Sequence, residues 1–212
     1  SQKGVLRFGD GGIIRGVLGE DLGPEALLSL GGALGAEGVV GLGCTPTPGA
    51  RMLARAAAAG ISAAGGSPLL HGLEPPAQGA WTARRENLPV SLFVEEDGAR
   101  IYLHLFDCHG LPLERGRQRK LEHALLQGEL RAVRAPQVGA VEQLELSPRG
   151  WAEETARAAS LGRPALRRVT VAVGRDTPGD RAVREALSAL GCRLEDQWRP
   201  GIPAFVSDHG GF

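Results

Sequence analysis

Apolar residues fall into short blocks parted by glycine and proline, and the period of the blocks changes along the chain. After an acidic, Pro-initiated start, Leu27, Leu28, Leu30 and Leu34 lie near helical spacing. This predicts a helix over Pro24 to Leu34 with Glu25 at its positive end. Val39 to Leu42 predicts a short strand. Arg51 to Ala64, rich in Ala and Leu and closed by Gly65-Gly66, predicts a second helix with a glycine stop. Pro68 to Leu70 suits a second strand and Trp81 to Glu86 a further helix. Val90 to Val94 is a compact apolar run suited to a buried strand. In Arg100 to Phe106, Ile101, Leu103 and Leu105 alternate with Arg100, Tyr102 and His104, a period-two strand with one wet face. Between the two lies Glu95-Glu96-Asp97-Gly98, which reads as the solvated tip of a β-hairpin because Asp-Gly is a turn signal. Arg115 to Leu130 closes this stretch as a charged amphipathic helix.

The pattern breaks at a proline between Val133 and Val138, and a second unit of alternating strands and helices follows. Its predicted elements are a strand over Val141 to Leu146, a helix over Pro148 to Leu161 and a strand over Val169 to Val173. A helix over Asp180 to Leu190 stops at Gly191, and a last strand covers Cys192 to Asp196. The expected fold is therefore α/β: a mixed sheet sandwiched between helices over residues 1–134, then a smaller α/β unit over residues 135–212.

Composition narrows the function classes. Lys plus Arg and Asp plus Glu both number 24, so the formal net charge is zero. No global field favours nucleic acid or an anionic membrane, and neither partner is expected. Cys44, Cys108 and Cys192 are odd in number and far apart, giving neither a disulfide framework nor zinc-ligand spacing. A reducing cytoplasm is the expected compartment. No apolar run approaches the roughly 20 residues of a spanning helix. Aromatic residues make up only 4% of the chain, so the core must rest on Leu, Val, Ile and Ala.

Several motifs occur in order. The opening Leu6-Arg7-Phe8-Gly9-Asp10-Gly11-Gly12-Ile13-Ile14-Arg15-Gly16 leads into Gly19-Glu20-Asp21-Leu22-Gly23-Pro24-Glu25. Gly43-Cys44-Thr45-Pro46-Thr47-Pro48 precedes Arg51-Met52-Leu53. Gly72-Leu73-Glu74-Pro75-Pro76 and Phe106-Asp107-Cys108-His109-Gly110-Leu111-Pro112-Leu113 complete the series. This series resembles the amino-terminal part of the α-D-phosphohexomutases, the family of phosphoglucomutases, phosphomannomutases and phosphoglucosamine mutases. The matched family stretches are FGTDGIRGxxGEDLTPE, GRDTRPSSRML, GLxPTP and FDADGLPL.

The resemblance implies intramolecular phosphotransfer on a hexose phosphate, yet the chain departs from the family where that chemistry sits. The family carries its phosphoserine in TASHNPPEYNGIK. Here Phe93 to His104 takes that place, with Glu95 at or beside the serine position. Phosphoryl transfer by such an enzyme needs a hydroxyl that accepts and returns the group. No catalytic residue is therefore assigned. By the likeness Arg15 is the phosphate-binding candidate, since a guanidinium matches phosphate through a planar fork. Arg51 and Arg175, the latter in a GRDT-like Gly174-Arg175-Asp176-Thr177, are further candidates. A charge mimic of phosphoserine by Glu95 facing Arg15 is the sharp expectation, and a solvated hairpin tip the plain one.

The family holds magnesium in an AFDGDGDR loop. Ala204-Phe205-Val206-Ser207-Asp208-His209-Gly210-Gly211 resembles it but keeps only Asp208, so no cofactor is expected and Asp208 is a weak metal candidate. Asp107-Cys108-His109 is read as structural. The resemblance thus implies a degenerate phosphohexomutase homologue acting as a binding or regulatory module. Its expected partners are a phosphosugar, an active mutase or a second copy of itself. The alternatives are a portion of an active mutase completed by further domains, and a simple phosphosugar or anion binder.

Overall fold

The computed structural model describes residues 6–128, 132–144, 148–160 and 169–205. The chain divides into two compact units, Ser1–Glu145 and Leu146–Phe212. The first holds a six-stranded mixed sheet in the order β1 (Ile13–Val17), β5 (Arg100–Phe106), β4 (Val90–Asp97), β2 (Val39–Cys44), β3 (Ser67–Leu73) and β6 (Glu142–Gln143). β5 is antiparallel to both neighbours, and β4, β2, β3 and β6 run parallel. In the second unit β7 (Thr170–Val173) lies between β8 (Arg193–Glu195) and β9 (Ala204–Phe205), all parallel, accompanied by α5 (Pro148–Ser160) and α6 (Pro178–Ala189). The expected α/β class, a mixed sheet flanked by helices, is what is found.

Helices α1 (Pro24–Leu34), α2 (Pro48–Ala63) and α4 (Arg115–Gln127) cover one face of the first sheet. Leu27, Leu30, Leu53, Ala57, Ile61 and Leu121 meet Ile14, Val40, Leu42, Leu92, Val94, Ile101, Leu103 and Leu105 there. Each fully buried aliphatic side chain of this layer contributes about 1.5–3 kcal/mol. Helix α3 (Pro76–Arg85) covers the other face, where Ala83 packs with Phe93 and Phe106. A central strand such as β2 is covered on both sides, so all but its first residue are buried.

Sequence and structure differ mainly at element starts. Helices α2 and α3 begin three and five residues before their apolar periodicity, because Pro48 and Pro76 supply the first-turn positions without an N–H to satisfy. Strand β1 lies inside a glycine-rich stretch that carries no strand signal of its own; its partner β5 makes it a strand. β4 continues to Asp97, so Glu95 and Glu96 stand in the strand and not in the hairpin tip. The tip is Gly98-Ala99 alone, with Gly98 at φ 60 and Ala99 at negative φ, as in a type II′ turn. The short β6 pairs with β3, placing residues beyond 134 in the first sheet. The predicted ends at residues 129–130, 145–146 and 161 lie outside the described residues. No described helix is long and apolar enough to cross a membrane.

Helices α1 and α2 approach backbone to backbone. A Cβ on Gly31 would collide with the Ala57 carbonyl, and one on Gly60 with the Leu28 carbonyl. Alanine at either site improves helix propensity by up to about 1 kcal/mol, but overpacking costs about 1–3 kcal/mol. The backbone atom cannot swing aside, so the steric cost wins. Gly60→Ala is expected to lower stability in urea unfolding; an unchanged or raised midpoint would show that the helices are free to part.

Candidate functional site

The chain leaves β2 through α2 to reach β3 and returns through α3 to β4, and these two helices cover opposite faces. The carboxyl ends of β2 and β4 therefore flank a topological switch point, the place where open α/β sheets bind ligands. Thr45 follows β2 there. Its N–H donates to the Val94 carbonyl (3.0 Å), and its Oγ1 accepts from the Glu96 N–H (3.0 Å) and lies 3.3 Å from Thr47 Oγ1.

The Glu96 carboxylate stands at this switch point. Its Oε2 accepts from the Ala50 N–H at 2.8 Å, in the first turn of α2, where a helix presents unsatisfied N–H groups and a partial positive charge. Gly49 has no side chain to obstruct it; a Cβ there would collide with Glu96 Oε1. Thr47, at the N-cap, makes no side-chain cap of its own, so Glu96 supplies the cap from another element. Alternation contains the signal for this contact: Glu96 has the parity of Val90, Leu92 and Val94, which face the α2 layer. An acidic run beside Asp-Gly hides it by resembling a loop.

Glu95 has the opposite parity and a different partner. Its Oε2 accepts from His104 Nε2 at 2.6 Å, and that ring lies between Phe93 and Phe106. Register places Arg15, Tyr102 and Glu95 side by side on β1, β5 and β4. Arg15 nonetheless directs Nη1 to the carbonyls of Asp10 (3.1 Å) and Ile13 (3.4 Å), and the latter carbonyl also accepts from Gly9 on the side away from β5. The expected Glu95–Arg15 pairing is not what the side chains make.

The remaining candidates are dispersed. Arg51, in the first turn of α2, is exposed and acts on Cys44. Burial pushes the Cys44 thiol up to about 11, against the pull of Arg51 and Arg55, so this thiol is no nucleophile. Arg175 belongs to the second unit, where its Nε donates to Asp196 Oδ1 at 2.8 Å. That hydrogen bond, with help from Arg184, holds the Asp196 carboxyl below its usual range. Asp107 Oδ1 accepts from the His109 and Leu111 N–H groups and shapes its own turn. Asp208 lies outside the described residues, and among the described residues no three metal-ligating side chains cluster.

One constellation escaped the motifs. At a bulge between Leu70 and Gly72, His71 is the extra residue of β3. Its Nδ1 meets Glu74 Oε1, and its Nε2 lies 3.3 Å from Ser91 Oγ. Hydroxyl, imidazole and carboxylate follow the order of a hydrolase triad, but Ser91, His71 and Glu74 are 0%, 3% and 2% exposed. No substrate reaches them. Gly41 and Gly43 make room: a Cβ at Gly41 would stand 2.6 Å from Ser91 Oγ, and one at Gly43 2.7 Å from His71 Cε1. Glu74 Oε2 is sealed without a partner. Burial raises the Glu74 pKa, opposed by the hydrogen bond and charge of His71.

Two measurements follow from this geometry. A carboxyl whose pKa is raised by folding contributes most to stability below its ordinary pKa, and the contribution is lost as pH rises through the folded value. Glu74→Gln is expected to flatten the loss of stability as pH rises above the ordinary carboxyl range; an unchanged slope would place the proton elsewhere. Glu96→Ala removes a buried-end cap and is expected to cost about 1–2 kcal/mol in urea unfolding. Glu95→Ala removes a partly buried pair at the solvent edge, with side chains 30% and 16% exposed, and should cost about 0.2–1 kcal/mol. A reversed ranking would assign the crevice to Glu95.

No family model and no curated protein matches the sequence. Solved structures do match the fold. A phosphoglucomutase/phosphomannomutase family protein from Burkholderia thailandensis is similar with a TM-score of 0.66 at 20% identity, over 92% of this chain and 43% of that one. A putative phosphomannomutase from Thermus thermophilus is similar with a TM-score of 0.69 at 19% identity, over 91% of this chain and 46% of that one. The chain spans less than half the length of either neighbour, and it shares the fold of the region it covers.

Proposed function

We propose that this chain is a degenerate phosphohexomutase homologue that does not itself transfer phosphoryl groups and serves as a binding or regulatory module in phosphosugar metabolism. The observation that carries the reading is the unbroken course of β4 through Glu95 and Glu96 into a two-residue turn. A serine loop has no room in such a hairpin, and the strand end presents carboxylates where a hydroxyl is needed. The switch-point crevice supports it as well, because the chain's own Glu96 holds the N–H that a ligand anion would use. A phosphosugar would then be recognised beside that crevice, with Arg15 and Arg51 as its cations, and an active mutase or a second copy is the fitting protein partner. The work belongs in a reducing cytoplasm, where three free thiols are at ease.

A second reading has one observation in its favour. The chain covers 43% and 46% of its structural neighbours, which suits a portion of a mutase completed by further domains.

Coupled assays with glucose 1-phosphate and mannose 1-phosphate test the first reading. The chain alone is expected to give no turnover above the blank, while glucose 6-phosphate at a hundred times its Kd stabilises the native state by about 2.7 kcal/mol. Arg15→Ala and Arg51→Ala should reduce that stabilisation. Turnover by the isolated chain would overturn the degenerate reading. Absence of any stabilisation, together with failure to co-purify a mutase, would overturn the binding module.

A further inference from the structure

A cavity of about 330 Å³ opens between α1, α4 and the start of β4. Its floor is apolar and fixed: Leu34, Val90, Leu113 and Leu121 line it, and all four are buried. Its rim is charged. Arg117 Nη2 donates to the Pro89 carbonyl at 3.0 Å and stands 3.4 Å from Glu37 Oε1, so this cation is already engaged. Lys120 is exposed and has no carboxylate partner among the described residues. Two cations against one carboxylate leave the rim with a single positive charge to offer.

We propose that this cavity binds a medium-chain monocarboxylate, with its alkyl body over the four buried residues and its carboxylate on Lys120. The volume falls at the small end of ligand sites, which run from about 300 to 1,000 Å³. An apolar floor disfavours a phosphosugar, whose hydroxyls would find no partners there. An uncharged alkyl ligand would leave Lys120 unused, and a dianion would exceed the charge of the rim. The site is also remote from the switch point. Val90 and Glu96 are six residues apart on one strand, roughly 20 Å, so the proposal stands or falls apart from the phosphosugar reading.

Sodium octanoate titrated into the full chain, followed by calorimetry or heteronuclear NMR, tests it. Saturable submillimolar binding is expected, with shifts at Leu34, Val90 and Leu121. Octanol, the same body without the charge, should bind roughly tenfold more weakly, and Lys120→Glu should weaken octanoate by a similar factor. Ala124 of α4 also lines the cavity, and Ala124→Trp should fill it and abolish binding; the surface variant Lys120→Glu carries the test if the tryptophan variant does not fold. Saturating glucose 6-phosphate should leave the octanoate affinity unchanged. Lack of saturation, octanol binding as tight as octanoate, or an unaltered affinity in Lys120→Glu would each overturn the proposal.

Discussion

The layout of the first unit depends on how closely α1 and α2 approach. Gly31 and Gly60 let the two backbones touch, with Ala57 and Leu28 offering carbonyl oxygens where side chains would otherwise stand. That contact makes the layer over the sheet thin, so Leu27, Leu30, Leu53 and Ile61 all reach the strands and are fully buried. A thicker layer would leave the small residues of α2 stranded above the sheet, and a core built with so few aromatic residues has no large side chains to bridge the gap. The glycines thus act through exclusion: what they lack determines where every larger residue of the layer sits.

Once α2 is pressed against α1 and the sheet, its amino terminus has one position relative to β4. Period-two alternation brings Glu96 onto the same side as Val94, and the helix end is where that side leads. A carboxylate at a helix amino terminus satisfies a donor and the macrodipole together. Thr45 completes the join by accepting from the Glu96 backbone, so strand end, loop and helix start are tied through three hydrogen bonds of 2.8 to 3.0 Å. Packing comes first in this sequence of causes and the polar contacts follow from it.

Much of this was legible in the sequence because it is local. Pro24 to Leu34 and Arg100 to Phe106 carry a clean period and are found with the predicted bounds. The hairpin and the α/β class follow from the same periodicities. What was not legible depends on partners distant in the chain. β1 becomes a strand only through β5, nearly ninety residues on. Glu96 and Ala50 are 46 residues apart, and His71 reaches Ser91 only through a bulge that no local signal announces. The arginine candidates illustrate the converse error. Arg15, Arg51 and Arg175 share a chemistry but occupy a sheet edge, a helix start and the second unit, and two of the three spend their donors on the chain's own oxygens.

The hydroxyls near the sheet are taken up by the structure's own hydrogen bonding. A phosphoryl acceptor must be open to in-line attack and free of obligations to its neighbours. Ser91 is enclosed beneath α3 and lies beside His71; Thr45 is 4% exposed and accepts from Glu96. Each hydroxyl is part of the structure's own hydrogen bonding, as are the Glu95 and Glu96 carboxylates. Polar groups enclosed at a strand end must be satisfied, since leaving one buried and unpaired costs about 1–3 kcal/mol. The pairing of Glu96 with α2, Glu95 with His104 and His71 with Glu74 Oε1 meets that requirement for these atoms, while Glu74 Oε2 stays buried without a partner and concentrates the remaining cost in one carboxyl.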